Sequence, residues 1–154
     1  RLPRPPALTH AMPSFDDIAA RFTSVDQDLR LAMLLDYAKK LPPLPPDLRA
    51  LRDQGFNRVP ECMTPVYLWM RRSDAGTLDM HIDVAEEAPT VKGFLSIIHA
   101  ACAGQPPSVA GAVPLDLISR LGLDAVIRMQ RAAGIHAIIA RIRREAAALG
   151  APTG

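Results

Sequence analysis

The chemistry open to this chain narrows to one thiol. Cys62 stands in Arg58-Val59-Pro60-Glu61-Cys62-Met63-Thr64-Pro65-Val66-Tyr67-Leu68-Trp69, between two prolines. A proline fixes its own φ and pushes its predecessor out of the helical region, so the cysteine is expected on a stiff, extended loop, presented rather than buried. A thiolate held that way is a nucleophile toward sulfur or carbon. The local residues also allow a plainer reading, a small hydrophobe at the entrance of a strand. Glu61 adds a constraint, because a neighbouring carboxylate opposes a thiolate by like-charge repulsion.

The second cysteine reads differently. Cys102 continues the stripe Val91, Phe94, Leu95 and Ile98 at helical spacing, which predicts a buried, inert thiol. The two cysteines lie forty residues apart with no Cys-x-x-Cys or nearby Cys-His pair, which argues against structural zinc, an iron-sulfur site or a disulfide scaffold. His81 alternates onto the polar face of a strand and is assigned no role.

Length and charge bound the rest. At 154 residues the chain is read as one domain over residues 14–150, after a flexible Pro-rich leader at 1–13 and before a tail at 151–154. Eighteen Lys and Arg against sixteen Asp and Glu leave a net charge of +2, with the basic residues scattered. The small cluster Arg141, Arg143 and Arg144 is read as a solvated helix face, so no nucleic-acid partner is expected. The longest apolar run, Phe94 to Ala103, is interrupted by Ser96 and His99, and no apolar h-region opens the chain. These features predict a soluble, reduced, cytoplasmic protein without a membrane partner.

The elements that must position Cys62 follow from periodicity. Ser14 and Asp17 have capping-box spacing for a short first helix, and Asp26 caps a second in which Leu29, Met33 and Tyr37 form one stripe, packed on two sides. Leu41 to Pro46 stops that helix as an extended crossing segment. Asp47 to Gly55 adds a helical turn, and Phe56 to Val59 reads as a short strand leading to the cysteine. Val66 to Met70 and Leu78 to Ile82 form a hairpin around the Ser73–Thr77 turn, with one wet face. Acids and Pro89 open the next helix. Gly104 to Gly111 is read as a loop, Pro114 as the start of a short helix, and a final helix runs from about Asp124 to Leu149.

Order of elements and cysteine loop together resemble the SufE family of sulfur acceptors, over roughly Phe15 to Leu149. The resemblance rests on Leu41-Pro42-Pro43-Leu44-Pro45, on the cysteine loop followed by Val66 and an aromatic, on Glu87-Ala88 then Val91-Lys92-Gly93, and on Leu121-Gly122-Leu123 followed by Arg131, Gly134 and Arg141-Ile142-Arg143. It departs beside the chemistry: the family usually reads Gly-Cys-x-Ser-x-Val-Trp where this chain has Glu61-Cys62-Met63-Thr64-Pro65-Val66-Tyr67, and it lacks the serine-proline stretch before Arg131.

What the resemblance implies is specific. The fold is a SufE/IscU-like α+β domain, a small antiparallel sheet of about three strands with helices packed on it. Cys62 is the persulfide acceptor, with Arg131 and Glu87 carried over as supporting residues. Arg131 would offset Glu61, and Lys92 looks placed for electrostatics or partner contact rather than a Schiff base. The partner is a cysteine desulfurase of the SufS-like type, whose pyridoxal phosphate is the desulfurase's own cofactor. An iron-sulfur scaffold complex receives the sulfur downstream, and the chain is a monomer or homodimer that activates its partner rather than a stand-alone enzyme. A rival reading is a thiol-based redox enzyme or sensor using Cys62, alone or with Cys102. A cluster scaffold is the weaker rival, with too few ligands, and an interaction module with Cys62 incidental is the plainest.

Overall fold

The computed structural model describes residues 13–150; the leader expected at 1–13, Pro13 apart, and the tail at 151–154 lie outside them. Helix α1 (Phe15–Thr23) begins as its sequence dictates. Asp17 N–H donates to Ser14 Oγ at 3.1 Å while Ser14 N–H donates to Asp17 Oδ2 at 3.2 Å, the reciprocal capping box. Helix α2 (Gln27–Lys40) is capped by Asp26, which accepts from Leu29 N–H. It stops at Leu41, the residue before a proline, as steric conflict requires. Helix α3 (Pro46–Asp53) has proline in its first turn, and Gly55 follows it at φ 88, the left-handed position that glycine occupies without steric cost.

Strands β1 (Val66–Arg72) and β2 (Leu78–Val84) pair antiparallel, from Val66 opposite Val84 to Arg72 opposite Leu78. In β2 the even positions Leu78, Met80, Ile82 and Val84 are buried and the alternate residues half-exposed, the expected one-sided hairpin. Behind the sheet lies α4 (Pro89–Cys102), the most enclosed helix, with Phe94, Leu95, Ile97, Ile98 and Cys102 all at zero exposure. It touches both β2 and α2. Short helices α5 (Pro107–Gly111) and α6 (Leu117–Arg120) and a 3-10 turn (Asp124–Val126) lead to α7 (Met129–Gly150), which packs on α5 and buries Ile135, Ile138, Ile139, Ile142 and Ala146.

The α+β class is as expected; several details differ for physical reasons. The sheet has two strands rather than about three. Phe56 to Val59 contributes a single bridge, Arg58 to Tyr67, because Asn57 takes φ 61 and Pro60 has no N–H to continue a ladder. The supposed loop at 104–111 contains α5, started by Pro107 in the first turn, where its missing N–H costs nothing. The short helix expected at Pro114 begins at Leu117, and α7 begins at Met129, after Ile127 turns extended.

Helix α2 is not enclosed on two sides. Leu29 is 49% exposed, and Leu34 and Ala38 are the buried positions. The seam is set by Gly93 of α4. A Cβ there would collide with the Leu34 carbonyl oxygen and come within 2.8 Å of Leu34 Cδ1, so only glycine lets the two helix backbones approach this closely.

Candidate functional site

Cys62 lies in the irregular connection between Asn57 and β1. Its flanks are pinned: Val59 N–H donates to Val66 O at 2.8 Å, Leu68 N–H to Asn57 O at 3.1 Å, and Ala85 N–H to Pro65 O at 3.1 Å. Between the flanks the backbone is nearly free, with Cys62 N–H reaching Val59 O at 3.4 Å.

The thiol is not presented. Cys62 is 6% exposed and joins the core cluster. Proline restricts φ but does not decide which way Cβ faces, and here the arc closed by Val59 and Val66 turns the side chain inward. The place it occupies is opened by Gly134 on α7, where a Cβ would stand 3.3 Å from Cys62 Sγ, tighter than ordinary packing. The glycine that the resemblance includes is therefore the floor beneath the sulfur.

This burial differs from that of an ordinary core cysteine, because the thiol borders open space. A cavity of about 450 Å³ is lined by Cys62, Glu61, Thr64, Val91, Arg131 and Gly134 among others. Met63, next in the chain, is 89% exposed at its rim. Cys102 is at zero exposure, and burial pushes its thiol up to about 12. Both cysteines are free thiols.

The charged residues arrange themselves differently from the expectation. Arg131 lines the cavity, but its Nη1 donates to Thr90 Oγ1 at 3.0 Å, joining α7 to the start of α4, rather than offsetting Glu61. The cation facing Glu61 is Arg141, with Nη1 3.6 Å from Oε2 and Nε donating to Glu145 Oε1 at 3.1 Å. The solvated face expected at Arg141 does not form: its side chain is three-quarters covered. Its signal was legible, since Arg141 follows Gly134 by two helical turns and so shares its face. Arg143, of the same cluster, donates to Val113 O at 2.9 Å. Lys92 holds Glu86 at 2.7 Å, and Glu87 is exposed before α4; neither lines the cavity. His81 pairs with Asp79 at 3.0 Å and does not line the cavity.

Among the described residues no three His, Cys, Asp or Glu side chains are grouped to hold a metal ion, and no helix is long and apolar enough to cross a membrane.

Fold and site together define a small α+β protein with one thiol at the edge of a cavity and another sealed in its core. The chain belongs to the SufE family: the family's Fe-S metabolism associated domain matches residues 16–146. A SufE-like protein of Mycobacterium tuberculosis is 37% identical over 128 residues, covering 83% of this chain and 87% of the relative. One of Rhizobium etli is 29% identical over 138 residues, covering 88% and 90%. The solution structure of a hypothetical protein from Thermus thermophilus superposes with a TM-score of 0.75 at 28% identity, covering 90% of this chain and 97% of that one.

Proposed function

We propose that this protein is a sulfur carrier that accepts persulfide sulfur on Cys62 from a cysteine desulfurase, stimulates that enzyme, and passes the sulfur on for iron-sulfur cluster assembly. The family's place in Fe-S metabolism supports the setting. The observation that carries the reading is that Cys62 borders a cavity of about 450 Å³ while Cys102 is sealed at zero exposure. A cytoplasmic, reducing compartment suits two free thiols.

The step is thiol-disulfide exchange with sulfur as passenger. The Cys62 thiolate attacks the terminal sulfur of the desulfurase's cysteine persulfide; that S–S bond breaks, a new one forms on Cys62, and the desulfurase cysteine leaves as a thiolate. No external oxidant enters. In this chain Gly134 gives the sulfur room, and the cavity has space for a second sulfur atom beside it. Arg131, on the cavity wall, supplies positive charge near the persulfide anion. Lys92 and Glu87, on the neighbouring surface, serve partner contact.

The redox reading, with Cys102 resolving Cys62, requires a reactive second thiol, and burial holds Cys102 protonated. The test is a mass spectrum after incubation with a desulfurase and cysteine. A gain of roughly 32 Da on the Cys62 peptide is expected. The same gain on the Cys102 peptide, or on neither, overturns the proposal.

A further inference from the structure

From the Glu61–Arg141 contact we infer that these two residues form a latch holding the cysteine loop closed over its cavity, so that the accessibility of Cys62 is set by an ion pair. The loop is built to turn on its ends. Pro60 and Pro65 bracket it, and Val59 and Pro65 are the positions tied by backbone hydrogen bonds to Val66 and Ala85. Within it, Cys62 N–H makes a 3.4 Å bond to Val59, a residue of the same arc, which does not fasten the loop to anything else. Among the described residues, the polar tie from Glu61, Met63 or Thr64 to the rest of the protein is Glu61 to Arg141.

Arg141 is held in place for that role. Its Nε is occupied by Glu145 one turn further along α7, leaving Nη1 aimed at Glu61, and its side chain is 23% exposed. A guanidinium fork bridging two carboxylates is geometrically defined in a way a lysine is not. At 3.6 Å and with Glu61 40% exposed, the pair is of the weak, screenable kind, suited to opening rather than to permanent closure. With the latch shut, Cys62 is 6% exposed; a competing charge on either partner frees the loop to swing on its prolines.

This assigns Glu61 a positioning role and inverts the expectation from its adjacency to the thiol. Its carboxylate faces a cation on another element. That the opening serves delivery of sulfur to Cys62 rests on the carrier reading above, whereas the latch itself is tested without any sulfur chemistry.

The test is the rate at which iodoacetamide, an uncharged reagent, alkylates Cys62 in the folded protein. Glu61→Gln and Arg141→Gln are each expected to raise the rate about two- to fivefold, with the double variant no faster than either, as two halves of one contact require. Raising salt from about 0.05 to about 1 M should accelerate the parent and leave Glu61→Gln unmoved. The Arg141 variant discriminates by sign. If the arginine acted on the thiol through charge alone, removing it would disfavour the thiolate and slow alkylation. Arg141→Lys keeps the charge without the fork, so a latch predicts faster reaction and a pure charge effect predicts none. Slower alkylation in Arg141→Gln, an unchanged rate in Arg141→Lys, or no response to Glu61→Gln overturns the latch. Failure of these with persulfide still forming on Cys62 removes the latch and leaves the carrier; success with no persulfide does the reverse.

Discussion

Cys62 and Cys102 have almost equal cover, at 6% and 0% exposure, yet they stand in opposite surroundings. Cys102 ends the most enclosed helix of the molecule, α4, whose close approach to α2 leaves no room even for a methyl group at Gly93. Cys62 sits in a short arc pinned at both ends and fastened in its middle by one partly covered ion pair, with a cavity on one side and a glycine beneath. Exposure alone would call both thiols inert. What separates them is how much structure must move before each meets solvent: for Cys62 a few residues between prolines, for Cys102 the core itself.

The hardest blow to this comparison would come from exchanging the fates of the two thiols. Cys62→Ser should abolish stimulation of a desulfurase, whereas Cys102→Ala should leave stimulation intact while lowering stability by about 1 kcal/mol for the small cavity it opens. Stimulation assays of both variants, with thermal melts alongside, decide it; stimulation surviving in Cys62→Ser would collapse the distinction.

The second prediction sharpens the contrast through pH. Burial raises the Cys102 thiol from 9.0 to about 12. The unfolded chain therefore releases this proton at lower pH than the folded one, and binds fewer protons between those values. Stability must then fall as pH rises from 9 to 12, by up to about 1.4 kcal/mol per pH unit from this group. Denaturant melts of the parent and Cys102→Ala across that range isolate the contribution, because the variant lacks it and every other group is shared. Parallel curves would mean that Cys102 is far less enclosed than its position indicates.

How these two sites read in the sequence follows the same division. Periodic signals identified the Cys102 helix correctly, because a stripe at three- and four-residue steps is a property of the residues themselves. The capping box, the hairpin and the glycine after α3 were legible for the same reason. The Cys62 loop stands out in the sequence as a candidate site but not as a geometry. Its prolines announce a constrained backbone, but the direction of the thiol depends on Gly134, seventy-two residues away, and the partner of Glu61 depends on which face of α7 meets the loop. Those are long-range facts that local propensity does not carry. The missing third strand belongs here too, since a left-handed Asn57 ends pairing where composition favoured it.

A third prediction tests rigidity on the Cys102 side. Gly93→Ala forces a methyl group onto the Leu34 backbone and side chain, and should cost about 1–3 kcal/mol by pushing α2 from α4. Cys62 alkylation in the still-folded variant should change little, because the loop is tied to α7 rather than to α2. Equal sensitivity of both thiols to this substitution would show that the two regions move as one.

The smallest effect is expected at Arg131, and it is the one that distinguishes chemistry from architecture at the cavity. Arg131 is an exposed residue whose guanidinium has one neutral partner, Thr90, so Arg131→Ala should shift stability by no more than about 0.5 kcal/mol. Thr90→Val removes that same hydrogen bond while leaving the cation on the cavity wall. If Arg131 acts by charge on sulfur arriving at Cys62, the alanine variant slows persulfide formation a few-fold and the valine variant does not, whereas a bracing role between α7 and α4 predicts that both slow alike. Persulfide yield against time, read by mass spectrometry for the two variants beside the parent, separates the outcomes. Equal rates in all three would leave Arg131 outside the chemistry, with Gly134 as the α7 residue packed against the sulfur.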